Sequence, residues 1–187
     1  PGRSGLGSSS SFTVGLLNAL YAYQGKMVSK HRLATEAIHI EQERLNETVG
    51  SQDQLMATYG GFNHISFSQN GEFSVRPMSL PTKRIKELNN NLMLFFTGIE
   101  RIASDIAISY VHNIGSRESE LRSIIDMVDE GISILNSPQD INLFGELLQR
   151  AWNVKSKMSE IVSNPHIDEI YRRARSAHCD KAGVPGL

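Results

Sequence analysis

The first nine residues, PGRSGLGSS, constrain the fold of this chain more than any other segment. Glycines let the backbone turn sharply and approach a ligand closely. The segment leads directly into apolar residues at three- and four-residue spacings, which predict a helix over about Ser8 to Tyr23. The first N–H groups of a helix lack internal partners, and the helix dipole is positive there. The sequence therefore predicts an anion site suited to phosphate.

Two familiar phosphate motifs do not fit this loop. The Walker motif ends in Gly-Lys-Ser/Thr, whereas the first lysine of this chain is Lys26. The dinucleotide fingerprint needs a different glycine spacing and a preceding strand. The remaining alternative is a serine-rich linker ahead of an N-capped helix.

Two acidic positions follow the loop and suit phosphoryl transfer, which needs a metal ligand and an oriented acceptor hydroxyl. Glu43 lies near the end of a second predicted helix, which has Ser29 as its N-cap and runs to about Glu47. Glu41 and Glu47 are rivals of Glu43, and on a helix positions 43 and 47 share a face that 41 does not. Asp53 lies in a polar loop, where it could instead cap the short helix that follows.

The rest of the chain indicates a small sheet and many helices. Two β-like runs, Phe62 to Phe67 and Glu72 to Val75, flank Asn70-Gly71, which is a strong hairpin signal. The apolar run Leu92 to Thr97 predicts a buried strand. Further helices are predicted over Thr82–Asn91, Glu100–His112, Leu121–Leu135, Leu143–Ile161 and Ile167–Arg175.

Composition narrows the classes of protein. The formal net charge of -1 argues against a general nucleic-acid binder. No stretch approaches the roughly 18 consecutive apolar residues of a membrane span. The single cysteine, Cys179, fits a reducing cytoplasm, and no His-x-x-x-His or Cys-x-x-Cys pair suggests a zinc site.

The opening loop, together with Asp53-Gln54 and Gly60-Gly61, resembles the GHMP kinases, a family of small-molecule kinases. The strings GSQDQ at 50–54, YGGFN at 59–63 and LFFTGIER at 94–101 are similar to the heptose-phosphate branch of that family. The resemblance implies an α+β, two-lobed fold that is incomplete here and helix-rich, with a small antiparallel sheet. Residues 1–80 would be the later part of the N-terminal, ATP-phosphate-binding domain, 81–175 part of the C-terminal domain, and 176–187 an irregular tail.

The resemblance also implies a reaction and its residues. ATP and Mg²⁺ would serve to phosphorylate the anomeric hydroxyl of D-glycero-D-manno-heptose 7-phosphate, in the cytoplasm, on the way to nucleotide-activated heptose for cell-surface glycans. Asp53 would be the catalytic base, and Ser9 and Glu43 would hold the metal. The ATP phosphates would lie on Gly5, Leu6, Gly7, Ser8, Ser9 and Ser10, and the sugar phosphate on Gly60, Gly61 and Arg101.

Two departures from the family's pattern bear on activity. The family's first motif, which precedes the phosphate loop, is absent, and so is the glycine-rich third motif. We therefore expect a fragment or a truncated gene product. A catalytically impaired nucleotide- or sugar-binding protein, or a fucose- or galactose-type kinase, is the alternative.

Overall fold

A computed structural model describes residues 6–97, 108, 114–158 and 162–176 of the chain. These residues divide into two compact units, one up to residue 79 and one from residue 80 onward. Within the described residues the fold is helix-rich with a single two-stranded antiparallel sheet, as the sequence predicts. No helix in these ranges is long and apolar enough to cross a membrane.

Over its described residues, the first unit contains three α-helices and the sheet. A π-helical segment, Ile40–Arg44, extends the second helix. The elements are α1 (Ser8–Tyr23), α2 (Lys30–His39), α3 (Gln52–Tyr59), β1 (Asn63–Phe67) and β2 (Phe73–Pro77).

The starts of α1 and α2 follow the sequence prediction. Gly7 is the N-cap of α1 and has a left-handed backbone with φ of 67°. Ser29 is the N-cap of α2, and its hydroxyl oxygen accepts a hydrogen bond from the Arg32 amide at 3.2 Å. Ser29 thus satisfies one of the amides that a helix start leaves without a partner.

The second helix ends earlier than predicted. Regular α-helix stops at His39, and the chain then widens into the π-helical segment, where the Leu45 amide donates to Ile40 O at 2.9 Å. Asn46 follows with φ of 52° and ends the helical path before the expected Glu47. A π-helical segment contains an additional residue per turn, so it changes the direction of the side chains that follow His39.

Helix α1 packs against both α2 and α3. Val14, Leu33 and Ala37 form the buried cluster between α1 and α2, and Leu17 and Val28 cover it. Burial of these apolar side chains is the main favourable term that holds α1 in place. The packing thereby fixes the N-terminus of α1 relative to the start of α3.

The predicted hairpin is confirmed. Strands β1 and β2 pair antiparallel, with Ile65 opposite Val75 in the middle of the register. Gly71 has φ of 83°, a conformation that suits glycine, and Asn70 Oδ1 accepts a hydrogen bond from the Glu72 amide at 3.1 Å.

The second unit is helical within its described residues. The helix Glu118–Asn136 and the helix Asn142–Lys155 pack through Met127, Ile134 and Leu147. Arg84, on the helix Thr82–Asn90, is buried and donates to Ile134 O at 2.7 Å and to Glu87 at 2.9 Å. The elements are α4 (Thr82–Asn90), a 3₁₀ turn (Ile114–Ser116), α5 (Glu118–Asn136), α6 (Asn142–Lys155) and α7 (Pro165–Ser176). The helix predicted over Glu100–His112 lies outside the described residues apart from residue 108, which is helical.

The prediction of a buried strand over Leu92–Thr97 is wrong. The segment has no regular secondary structure, and Leu94 and Phe95 are 83% and 70% exposed. An apolar run becomes a buried strand only where another strand binds its backbone and other side chains cover its faces. In the described part of the chain β1 and β2 pair only with each other, so this segment has no such partner there.

We predict that Ser29→Ala lowers the free energy of unfolding of the first unit by about 1 kcal/mol, because the variant loses the side-chain cap of α2. Urea unfolding measures this difference. Ser11→Ala, at an exposed position inside α1, is the control and should change stability by less than about 0.5 kcal/mol. Equal effects of the two substitutions would contradict the capping role.

Candidate functional site

The N-terminus of α1 presents a run of backbone amides without internal partners. The first intrahelical bond joins the Ser11 amide to Gly7 O at 2.9 Å, so the amides of Ser8, Ser9 and Ser10 precede the hydrogen-bonded turns. No side chain caps this helix start. Ser8 and Ser9 are exposed whereas Ser10 is buried. The arrangement leaves three amides and two exposed hydroxyls at the positive end of the helix dipole.

A buried glutamate, Glu41, lies beside this helix start. It is 1% exposed, although an ionised carboxylate strongly prefers water. Its Oε2 accepts hydrogen bonds from Ser10 Oγ at 2.9 Å and from Gln54 Nε2 at 2.5 Å. Its Oε1 is buried and has no hydrogen-bond partner in the part of the chain that the structure describes. Within the described residues, Glu41 forms no ion pair with an arginine or lysine.

The position of Glu41 follows from the buried face of α2. Ala34 and Ala37 are fully buried, and Glu41 lies seven residues beyond Ala34 and four beyond Ala37, on the same helical stripe. The sequence contained this signal, because two small residues leave room for α1 and the next position on that face is acidic. The resemblance to the GHMP kinases implies Glu43 instead, because the family's metal glutamate lies about a turn before the loop that contains Asp53.

Glu43 itself lies at the surface. Its side chain is 70% exposed, and its Oε2 lies 3.0 Å from His39 Nδ1, in an i, i+4 pair. Among the described residues, no hydrogen bond or ion pair joins Glu43 to the start of α1. Its metal role therefore stays a prediction from the resemblance alone.

Asp53 lies in the first turn of α3, and the N-cap of that helix is Ser51. A Cβ built on Gly7 would lie 3.3 Å from Asp53 Cβ, Cγ and Oδ2, so the Asp53 side chain packs directly against the glycine of the opening loop. Burial raises the pKa of the Asp53 carboxyl, and the nearby charge of Glu41 raises it further. Asp53 nevertheless keeps an exposed side. The carboxyl is crowded by protein on one side and open to a ligand on the other.

The charge of these groups would suit a divalent cation. Two carboxylates of like charge, one with a buried oxygen that lacks a partner, favour a positive ion nearby. Magnesium needs few protein ligands, because it usually binds one or two carboxylates together with phosphate oxygens and water. Within the described residues no group of three or more His, Cys, Asp or Glu gathers to hold a metal by itself. Glu41 Oε1 and a nearby serine hydroxyl would therefore hold magnesium only together with a phosphate ligand.

The two glycines predicted to bind substrate lie at the other end of α3. Gly60 and Gly61 have φ of 62° and 74°, and no heavy atom lies within 4 Å of a Cβ built on either. The eight residues of α3 lie between this turn and the N-cap of the helix, and they span roughly 11 Å along the helix axis at a rise of 1.5 Å per residue. Asn63 Nδ2 donates to Gly60 O at 2.7 Å and holds this turn. The remaining predicted residues, Gly5 and Arg101, lie outside the described residues.

Comparison with known families confirms the resemblance to the GHMP kinases. Residues 1–61 match the model of the GHMP kinases N terminal domain. These residues contain the opening loop, α1, α2 and the whole of α3. The matched segment therefore contains the start of α1, Glu41, Glu43, Asp53 and the Gly60-Gly61 turn.

Individual relatives agree with this match. The chain is 32% identical over 176 residues to the D-glycero-alpha-D-manno-heptose 7-phosphate kinase of Campylobacter jejuni. The aligned region covers 93% of this chain and 52% of that protein. It is 24% identical to part of a bifunctional fucokinase/GDP-fucose pyrophosphorylase of Arabidopsis thaliana, covering 91% of this chain and 17% of that protein.

Solved structures show the same likeness. A D-glycero-D-manno-heptose 1-phosphate kinase from Bacteroides thetaiotaomicron superimposes with a TM-score of 0.62 at 28% identity, over 84% of this chain and 45% of that one. A putative sugar kinase from Campylobacter jejuni superimposes with a TM-score of 0.57 at 27% identity, over 94% of this chain and 50% of that one. The chain thus spans about half the length of the sugar kinases that it resembles in structure.

We predict that Gly7→Ala weakens the binding of an ATP analogue by about tenfold. A left-handed backbone costs a residue with a Cβ about 1–2 kcal/mol, and the new methyl group would also press on Asp53. Titration with a fluorescent, non-hydrolysable ATP analogue measures the change. The control is Gly15→Ala in the middle of α1, where a Cβ meets nothing within 4 Å. A loss of affinity in both variants, or in neither, would contradict the account.

Proposed function

We propose that this relative of the GHMP kinases is an ATP-dependent sugar kinase that transfers the γ-phosphate of ATP to the anomeric hydroxyl of D-glycero-D-manno-heptose 7-phosphate. One observation carries the proposal. A buried glutamate and a partly buried aspartate flank the free N-terminus of a helix, Glu41 through Ser10 and Asp53 through Gly7. Phosphoryl transfer requires anion-binding donors, a metal carboxylate and a base, and these groups can supply each of them.

The amides of Ser8, Ser9 and Ser10 bind the ATP phosphates in this proposal. They carry the positive end of the α1 dipole and have no competing side-chain cap. The left-handed backbone of Gly7 brings the loop against the helix start without a side chain in the way. Gly5 and Leu6 belong to the same loop by the resemblance.

Glu41, in preference to Glu43, is the metal carboxylate in this proposal. Its Oε1 is buried with no partner and would be stabilised by a cation, whereas Glu43 is exposed and already paired with His39. Ser9 keeps an exposed hydroxyl next to the phosphates and is the second ligand, as the resemblance implies. When bound, magnesium neutralises the charge that develops on the phosphoryl oxygens.

Asp53 accepts the proton of the acceptor hydroxyl. Its raised pKa makes the carboxylate a better proton acceptor than an ordinary surface aspartate, and its open side leaves room for the hydroxyl. Its contact with Gly7 supports this role, because a base next to the opening loop would be a neighbour of the transferred phosphoryl group. Proximity of this kind supplies much of the rate enhancement in phosphoryl transfer.

The choice of sugar rests on the relatives and on three sequence strings. The Campylobacter relative is named for heptose 7-phosphate and the Bacteroides structure for heptose 1-phosphate, so heptose phosphates are the shared substrate class. The turn at Gly60 and Gly61, which is open to solvent, is the proposed sugar contact in the described part of the chain. The product would serve the synthesis of nucleotide-activated heptose.

The test is the release of ADP from Mg-ATP by this chain in the presence of heptose 7-phosphate, with L-fucose and D-galactose as competing acceptors. We predict turnover with the heptose phosphate and a loss of about 10²- to 10⁴-fold in Asp53→Asn, because general base catalysis contributes that much. Preference for fucose would instead favour the activity of the Arabidopsis relative. Binding of ATP without any turnover would favour a catalytically impaired binding protein.

A matched pair of variants separates the two candidate metal ligands in the same assay. Glu41→Gln removes the buried charge and should abolish measurable turnover, whereas Glu43→Gln removes an exposed charge and should leave turnover close to that of the unchanged chain. The reverse pattern would assign the metal to Glu43 and contradict the role proposed for Glu41.

A further inference from the structure

Gln54 is a fully buried polar residue that the reaction as described does not use. It follows Asp53 directly in the first turn of α3 and is 0% exposed. Its Nε2 donates to Glu41 Oε2 at 2.5 Å, and its own Oε1 is buried without a hydrogen-bond partner. A buried amide with one side unsatisfied is unfavourable, and its one hydrogen bond goes to the Glu41 carboxylate. Packing alone therefore does not explain a glutamine here.

The two oxygens of Glu41 differ in their surroundings. Oε2 accepts one hydrogen bond from Ser10 and another from Gln54, whereas Oε1 accepts none. The terminal torsion of a glutamate is broad, so a single hydrogen bond leaves the carboxylate free to rotate. A second donor that reaches the same oxygen from a different helix removes that freedom. With Oε2 held by α1 and α3 together, Oε1 has a fixed position.

We infer that Gln54 is the positioning residue for the metal carboxylate: by occupying Glu41 Oε2 together with Ser10, it leaves Oε1 as the only oxygen offered to a divalent cation. This inference rests on the proposed function. It assigns to Gln54 a role that is distinct from that of its neighbour Asp53, which faces the opening loop. The start of α3 thus determines the position of both carboxylates, because it contains Asp53 and because its Gln54 amide holds Glu41.

The geometry also selects how the cation is held. A glutamate whose two oxygens are both free can bind a cation through both at once, which suits calcium. Glu41 has one oxygen committed to two donors and can bind only through the other. Single-oxygen binding fits the smaller magnesium ion, which keeps an octahedral shell of water and phosphate oxygens. Loss of the Gln54 donor would weaken this restriction.

The test uses Gln54→Met, which keeps the length and nearly the volume of the side chain but removes the donor. Gln52→Met is the matched control, because Gln52 lies in the same helical turn and is exposed. Manganese, a paramagnetic substitute for magnesium, is titrated into each protein with a non-hydrolysable ATP analogue, and free Mn²⁺ is measured by electron paramagnetic resonance. The affinity for the analogue without any metal is measured in parallel.

We expect Gln54→Met to bind Mn²⁺ about 10- to 100-fold more weakly than the unchanged chain, as is usual when a residue that orients a ligand is lost. The metal-free affinity for the analogue should stay the same, and Gln52→Met should match the unchanged chain in both measurements. A general loss of structure would lower both affinities together. If Gln54→Met does not fold, Gln54→Asn takes its place, because its amide is one methylene shorter and no longer reaches Glu41. The same weaker binding of Mn²⁺ and unchanged metal-free affinity are expected of it.

Two outcomes overturn the inference and can be told apart. If the unchanged chain binds both ligands and Gln54→Met binds Mn²⁺ within about twofold of it, Gln54 does not position the ligand and the proposed function stands. If the unchanged chain binds neither the analogue nor Mn²⁺, the proposed function fails and the role of Gln54 falls with it.

Discussion

The hydrogen bond between Ser10 and the buried carboxylate of Glu41 is the interaction on which the first unit's site depends. It joins the first turn of α1 to the segment that extends α2, and Gln54 joins the same carboxylate to α3. Three elements thus meet at one buried acidic group. Because a buried charge with an unsatisfied oxygen is unfavourable, the fold must hold Glu41 through its apolar packing. Val14, Leu33 and Ala37, which pack α1 against α2, supply that packing next to the polar cluster.

The features that are unfavourable for stability collect where a phosphate ligand would relieve them. Glu41 Oε1 has no partner, the pKa of Asp53 is raised, and the N-terminus of α1 has no side-chain cap. The metal ion of a bound metal-phosphate complex would offset the charges of Glu41 and Asp53. Its phosphate oxygens would accept hydrogen bonds from the free amides at the start of α1. Proteins commonly depart from locally favourable choices at functional sites, and here the departures share one location. This concentration supports the proposed kinase more strongly than any one of its residues.

The sequence predicted those features that depend on residues close together along the chain. The bounds of α1, the Ser29 cap and the Asn70-Gly71 hairpin all follow from local spacing and turn chemistry, and the structure has each of them. The spacing of Ala34 and Ala37 points to Glu41 over Glu43, but the sequence does not show that α1 packs on this face of α2 or that a π-helical segment begins at Ile40. The Leu92–Thr97 run failed for a related reason. Its apolar residues predict burial, but burial requires a partner strand that the described residues do not contain.

The central claim is that the start of α1 binds the phosphates of ATP beside Glu41 and Asp53. Its most direct test is to record amide chemical shifts of the ¹⁵N-labelled chain while a non-hydrolysable ATP analogue and Mg²⁺ are added. The account predicts that the amides of Ser8, Ser9 and Ser10 shift most, because their N–H groups would donate to the phosphates. Saturable binding that leaves these three amides unmoved and shifts residues of the second unit would contradict it.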